Sequence, residues 1–110
     1  KPAGSKQSGK NWEKIIKRLD SGLESEYKLS VIDADNLLFD CLQTMGFSGA
    51  IMEEKLEKVS SVILSNIAVV KEIHQVRNKI VHDPDFKLSR EDAKKILAVY
   101  EKSLSDLQMI

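Results

Sequence analysis

The sequence predicts an all-α domain, a compact bundle of four main helices with a short extra one. Three observations carry that expectation. Apolar residues recur at spacings of three and four through most of the chain after Lys10, and no run alternates in the manner of a strand. Only 5 glycines and 2 prolines are present, and nearly all fall outside the periodic segments. With 110 residues, 42% hydrophobic and 31% charged, the chain has the balance of one globular domain large enough to bury a core.

The opening run Lys1-Pro2-Ala3-Gly4-Ser5-Lys6-Gln7-Ser8-Gly9-Lys10 has the composition of a flexible polar linker, so the helical domain is expected over residues 11–110. Opening on lysine rather than methionine reads as a fragment or a processed product. Asn11 suits the N-cap of a short first helix, with Trp12, Ile15, Ile16 and Leu19 on one face and Ser21-Gly22 as its stop. The second helix is expected over about residues 26–45, with Leu29, Ile32, Leu37, Leu38, Leu42 and Met45 apolar and Gly46 as C-cap. Ser48 is a candidate cap for a third, shorter helix carrying Ile51, Met52 and Leu56, which ends at Val59-Ser60-Ser61. The fourth spans roughly residues 65–82, with Ile67, Val70, Ile73, Val76, Ile80 and Val81. Pro84 prevents its continuation past Asp83. Ser89 caps the fifth, where Glu91 and Asp92 complement the dipole ahead of the stripe Ala93, Ile96, Leu97, Tyr100, Leu104 and Leu107.

Charge and cysteine content narrow the function classes. Lys+Arg and Asp+Glu are equal at 17 each, so there is no electrostatic case for non-specific nucleic-acid binding, and any RNA or nucleotide contact must be local. A single cysteine, Cys41, excludes an internal disulfide and fits a reducing compartment. Its apolar neighbours make a buried, inert thiol the expected state. No apolar run has the length of a membrane span and no signal peptide is visible, which points to the cytoplasm.

The residues with most chemistry are Arg77-Asn78-Lys79-Ile80-Val81-His82, followed by Asp83-Pro84. Arg77 and His82 are five apart, roughly 140° around a helix axis, so they are not stacked but can lean toward one groove. A permanent cation beside a group that titrates near neutrality can bind a phosphate and move a proton. It can also tie down a helix end. For the structural alternative, Asp33 and Asp35 on the second helix are the candidate partners of Arg77, with Asp35 favoured because it follows Val31 by one turn. His82 would then bond a free carbonyl at the helix C-terminus. His74, Asn78 and His82 fall at i, i+4 and i+8, but no third strong ligand accompanies them in the sequence, so no metal and no cofactor is expected.

The segment from Arg77 to His82 matches the Arg-x4–6-His motif of HEPN domains, including the polar residue after the arginine, here Asn78. The run Val76 to Leu88 also resembles a bacterial subgroup of HEPN-like proteins, as do Ile32-Asp33-Ala34-Asp35-Asn36-Leu37-Leu38 and Met45-Gly46-Phe47-Ser48-Gly49. The resemblance covers about residues 12–107. It implies a small helical bundle with the motif near the end of a long, late helix. In that subgroup the domain can follow a membrane segment, which would make residues 1–10 a juxtamembrane linker on the cytoplasmic face.

For catalytic members the resemblance implies metal-independent RNA cleavage by attack of a ribose 2′-OH on the adjacent phosphate, in a cleft between two protomers. His82 would be the general acid or base, Arg77 would stabilise the phosphorane, and Asn78 would orient the phosphate or the histidine. Other HEPN domains are assembly or nucleotide-binding modules. Zero net charge and the lack of a basic-aromatic cluster put a non-catalytic module for assembly or scaffolding first. A toxin-like ribonuclease comes second and a nucleotide-binding helical domain third. Apolar residues on more than one side of the second helix (Val31, Ile32, Leu37, Leu38, Phe39) point to a homodimer.

Overall fold

The fold is organised around one long helix, α2 (Glu24–Thr44), which touches all four of the others: α1 (Ser5–Lys17), α3 (Met52–Glu57), α4 (Ile67–His82) and α5 (Arg90–Asp106). This arrangement is seen in a computed structural model that describes residues 2–110, and no strand occurs among the described residues. A helix surrounded by others must be apolar on several sides. Val31, Ala34, Leu37, Leu38, Cys41 and Leu42 are buried accordingly, and Ile32 and Phe39 pack half-buried against the same core. The apolar surplus of α2 is thus covered within one chain. Leu29 and Met45, expected in the core, are exposed.

The first helix begins at Ser5, six residues before the expected cap Asn11. Residues 5–10 are therefore helix, not linker, while Lys1 lies outside the described residues. The reason is local. Ser8 stands one turn before Trp12 on the buried face, and its Oγ lies 3.6 Å from Cys41 Sγ. A small polar residue lets the two helices approach but adds nothing to a hydrophobic periodicity. A 3-10 turn over Arg18–Ser21 follows and closes on Gly22 at φ 75°.

The other boundaries follow their caps. Gly46, at φ 93°, closes α2 in a Schellman motif: its N–H reaches the Gln43 carbonyl at 3.1 Å, and Phe47 N–H reaches Leu42 at 3.0 Å. Ser48 does not cap α3. The Glu54 carboxylate reaches back instead, accepting from Ala50 N–H at 2.9 Å and Ile51 N–H at 3.3 Å. Ile51 is consequently left exposed, while Met52 and Leu56 are buried. Ser89 Oγ accepts from Asp92 N–H at 3.0 Å, and the whole expected stripe of α5, from Ala93 to Leu107, is buried. Along α4, Val70 and Ile80 are buried, whereas Val81 faces solvent. No helix of the described residues is long and apolar enough to cross a membrane.

Two glycines bear on stability in different ways. At Gly46 an added Cβ would meet nothing within 4 Å, so alanine meets only the left-handed backbone penalty, about 1–2 kcal/mol. At Gly49, φ 134°, the Cβ would lie 2.8 Å from Glu54 Cβ and 3.0 Å from Lys55 N. Urea denaturation should rank Gly49→Ala as clearly more destabilising than Gly46→Ala. Equal midpoints would show that the turn before α3 has room for a Cβ at Gly49.

Candidate functional site

One carboxylate gathers three helices. Asp35 on α2 is 2% exposed, and its Oδ2 accepts from the Tyr100 hydroxyl of α5 at 2.8 Å. The same oxygen lies 2.8 Å from His74 Nδ1 on α4, a contact that places the ring proton on Nδ1. Arg77, one turn beyond His74, brings its Nε to 3.7 Å from Asp35 Oδ1. That is an ion pair rather than a hydrogen bond, and Arg77 Nε has no hydrogen-bond partner among the described residues. The fold needs donors here because an uncompensated buried carboxylate is costly.

A fourth helix joins through Glu53 of α3. Its Oε1 lies 2.9 Å from His74 Nε2, but off the direction of a hydrogen bond, so the contact is chiefly one of charge. Its Oε2 accepts from Asn78 Nδ2 at 3.2 Å, and Asn78 Oδ1 accepts from Arg77 Nη1 at 3.1 Å. The spacing of His74, Arg77 and Asn78 at i, i+3 and i+4 puts all three on one side of α4.

These contacts shift the titrations. Burial works against charge on His74, but the hydrogen bond and charge of Asp35, followed by the nearby Glu53 carboxylate, outweigh it and hold the imidazole above its ordinary pKa. Burial likewise opposes the charge of Glu53, yet its own backbone N–H, the His74 imidazole and the Asn78 amide keep it below the usual carboxylate value. Burial and then the Asp35 charge push the Tyr100 phenol far upward.

The cluster opens into a cleft of about 400 Å³, with Arg77, Asn78 and His82 contributed by α4 and Ile51 and Glu53 from the α3 side. His82 is exposed, and no hydrogen bond holds its ring among the described residues. The helix-end carbonyl contact expected of it is therefore not made. His82 is eight residues beyond His74, about 12 Å along the helix, so the two histidines do not converge. No group of three His, Cys, Asp or Glu among the described residues is placed to hold a metal ion.

Asp33 goes elsewhere. Its carboxylate accepts from Arg18 Nε at 2.9 Å, while Arg18 Nη1 also pairs with Glu26 at 3.0 Å. These three side chains are about a third exposed and border a second, open cleft of about 690 Å³ between α1 and α2. Asp33 is thus separated from Arg77 because it lies on the α1 side of α2, two residues and about 200° around from Asp35.

Sequence reasoning missed His74, Tyr100 and Glu53 as partners of this cluster. Tyr100 offered one signal: a hydroxyl in an otherwise aliphatic buried stripe needs an acceptor. Glu53 offered none, since its partners come from another helix.

In comparisons with protein families, curated proteins and solved structures, nothing matches this chain.

The geometry ranks three substitutions. Asp35→Ala strands the Tyr100 hydroxyl and His74 Nδ1 at once and should cost about 3–5 kcal/mol. Tyr100→Phe removes one donor while the carboxylate keeps others, about 1–2 kcal/mol. Arg77→Ala loses a longer contact whose carboxylate stays hydrogen-bonded, and should also cost about 1–2 kcal/mol, well below Asp35→Ala. Thermal and urea unfolding check the order, and an Arg77→Ala loss as large as that of Asp35→Ala would contradict it.

Proposed function

We propose that the chain is a non-catalytic, HEPN-like helical module for protein assembly, in which Arg77 is chiefly a structural residue. The observation that carries this reading is the buried Asp35 carboxylate, which draws Arg77 inward together with His74 and Tyr100. An incoming phosphate would have to compete with Asp35 for the guanidinium. It would also meet the Glu53 carboxylate, 46% exposed, across the cleft. Two carboxylates facing Arg77 and two histidines make a poor field for a polyanion. Assembly is supported by exposed apolar residues in the segment from the start of α3 to the end of α4: Ile51, Val62, Ile63, Val69 and Val81. A homodimer is the simplest such assembly.

One observation favours a second reading. His82 is free and lines the same cleft as Arg77 and Asn78, which is where a metal-independent ribonuclease would need it. A nucleotide-binding role would use the same wall.

Incubation with single-stranded RNA in EDTA separates the readings. The expected result is no cleavage above that of an Arg77→Ala/His82→Ala control. Turnover that both substitutions abolish, with the fold intact, would establish the nuclease and sink the structural module. Light scattering at tens of micromolar should give the dimer mass, and a monomer mass at every concentration would remove self-assembly from the reading.

A further inference from the structure

His74 stands between two carboxylates that belong to different helices. Asp35 of α2 lies 2.8 Å from Nδ1 and Glu53 of α3 lies 2.9 Å from Nε2, with the ring only 4% exposed. A neutral imidazole carries one N–H and one lone pair. With its proton on Nδ1 for Asp35, the neutral ring would leave a bare Nε2 and the Glu53 carboxylate, two acceptors, only 2.9 Å apart. Only the imidazolium suits both neighbours. We propose that His74 is a proton-operated latch for α3: charged, it holds Glu53 and closes α3 against α4, and neutral, it repels Glu53 and lets the outer edge of α3 lift from the cleft.

α3 is built to respond. It has six residues, too few to be stable without tertiary support. On the α4 side it is tied by Glu53 to His74 and Asn78, and by an exposed Glu57–Lys71 pair at 3.2 Å. Toward α2 the buried Lys55 ties it to Gln43 and the Phe47 carbonyl, and Met52 and Leu56 are buried as well. Loss of the His74 contact therefore loosens one edge and leaves the other seated. Glu53 also occupies Asn78 Nδ2, so lifting that edge frees Asn78 and takes a carboxylate away from Arg77 and His82.

Every element around the ring has a defined part. From α2 comes Asp35 and from α3 Glu53, both favouring the charged ring. From α5 comes the Tyr100 phenol, which shares Asp35 Oδ2 and stays neutral throughout. From α4 itself come Arg77, whose positive charge near Asp35 opposes the imidazolium, and Lys71 and Glu72, which border the ring's outer side. Two carboxylates against one close guanidinium leave the balance on the side of charge, in keeping with the upward direction of the His74 titration. Because that value is raised, the latch is fully engaged below about pH 6.5, the ordinary histidine value, and is lost as pH rises through the higher value of the closed form. Each unit between the two values changes the closing equilibrium by at most about tenfold.

Amide hydrogen exchange of the whole protein, followed by NMR between about pH 5 and 8.5 with the intrinsic pH dependence divided out, tests this. Protection of the α3 amides should fall as pH rises through the titration, by at most about tenfold per unit of pH, while that of α5 changes little. Glu53→Gln, at a half-exposed site that does not endanger the fold, should lower α3 protection at acid pH and abolish its pH dependence. His82→Ala should leave that dependence as it is in the wild type. The proposal is overturned if α3 protection does not vary with pH, if α5 falls in parallel, if Glu53→Gln keeps the wild-type profile, or if His82→Ala removes it.

Discussion

A single carboxylate on a helix face that is otherwise apolar constrains the whole bundle. Asp35 occupies the stripe Val31, Ala34, Asp35, Leu38 and Leu42 at the centre of α2, where all its neighbours are buried. Hydrocarbon contact is non-directional, so apolar helices can slide and rotate against one another at modest cost. A buried carboxylate permits no such freedom. Tyr100 and His74 must reach the same oxygen at 2.8 Å, which fixes the rotation of α5 and α4 about their axes and their height along α2. A hydrophobic residue at this position could give a bundle as stable, but one less restricted to a single packing.

The same constraint explains the divided behaviour of the Arg-x4-His segment. Arg77 is one turn past His74, so the rotation that aims His74 at Asp35 brings the arginine stem inward too. His82 is a further five residues on, rotated about 140° from Arg77, and no hydrogen bond holds its ring among the described residues. One helix therefore presents a tethered cation and a free imidazole to a common cleft. Which of these properties the protein uses depends on the cleft's field, and that field is set by a residue outside the segment, Glu53.

Much of this architecture was legible in the sequence. The fifth helix is legible almost residue for residue, because Ser89, Glu91 and Asp92 mark its start and its buried positions obey the 3.6-residue period. Gly46 and Gly22 marked stops through their left-handed backbone. Asp35 stood out as the acidic residue one turn past a buried valine. What failed to show were contacts of long sequence range between polar groups. Ser8 hid the first turns of α1 because a small polar residue packs without adding to a hydrophobic stripe. Asp33 stood second to Asp35 as a partner for Arg77, but nothing in the sequence showed that Arg18 holds it from the α1 side. Nothing in the sequence sets Lys55 apart from the other lysines, yet it is fully buried.

Lys55 completes the account of α3. Its ammonium donates to Gln43 Oε1 and to the Phe47 carbonyl at 2.8 Å, and lies 4.6 Å from the centre of the Phe39 ring. All three partners are neutral, so this cation is satisfied by dipoles and a π face rather than by a counter-charge. α3 thus carries a cation facing α2 and an anion, Glu53, facing α4, two residues apart. A six-residue helix buries too little apolar surface to fix its own place, and these opposed charges supply the orientation that its length does not. They differ in kind. The contacts of Lys55 involve no second titrating group, whereas those of Glu53 run through an imidazole whose charge changes near neutrality. The side of α3 nearest the bundle axis is therefore held permanently. The side that walls the cleft is held only as firmly as His74 keeps its second proton.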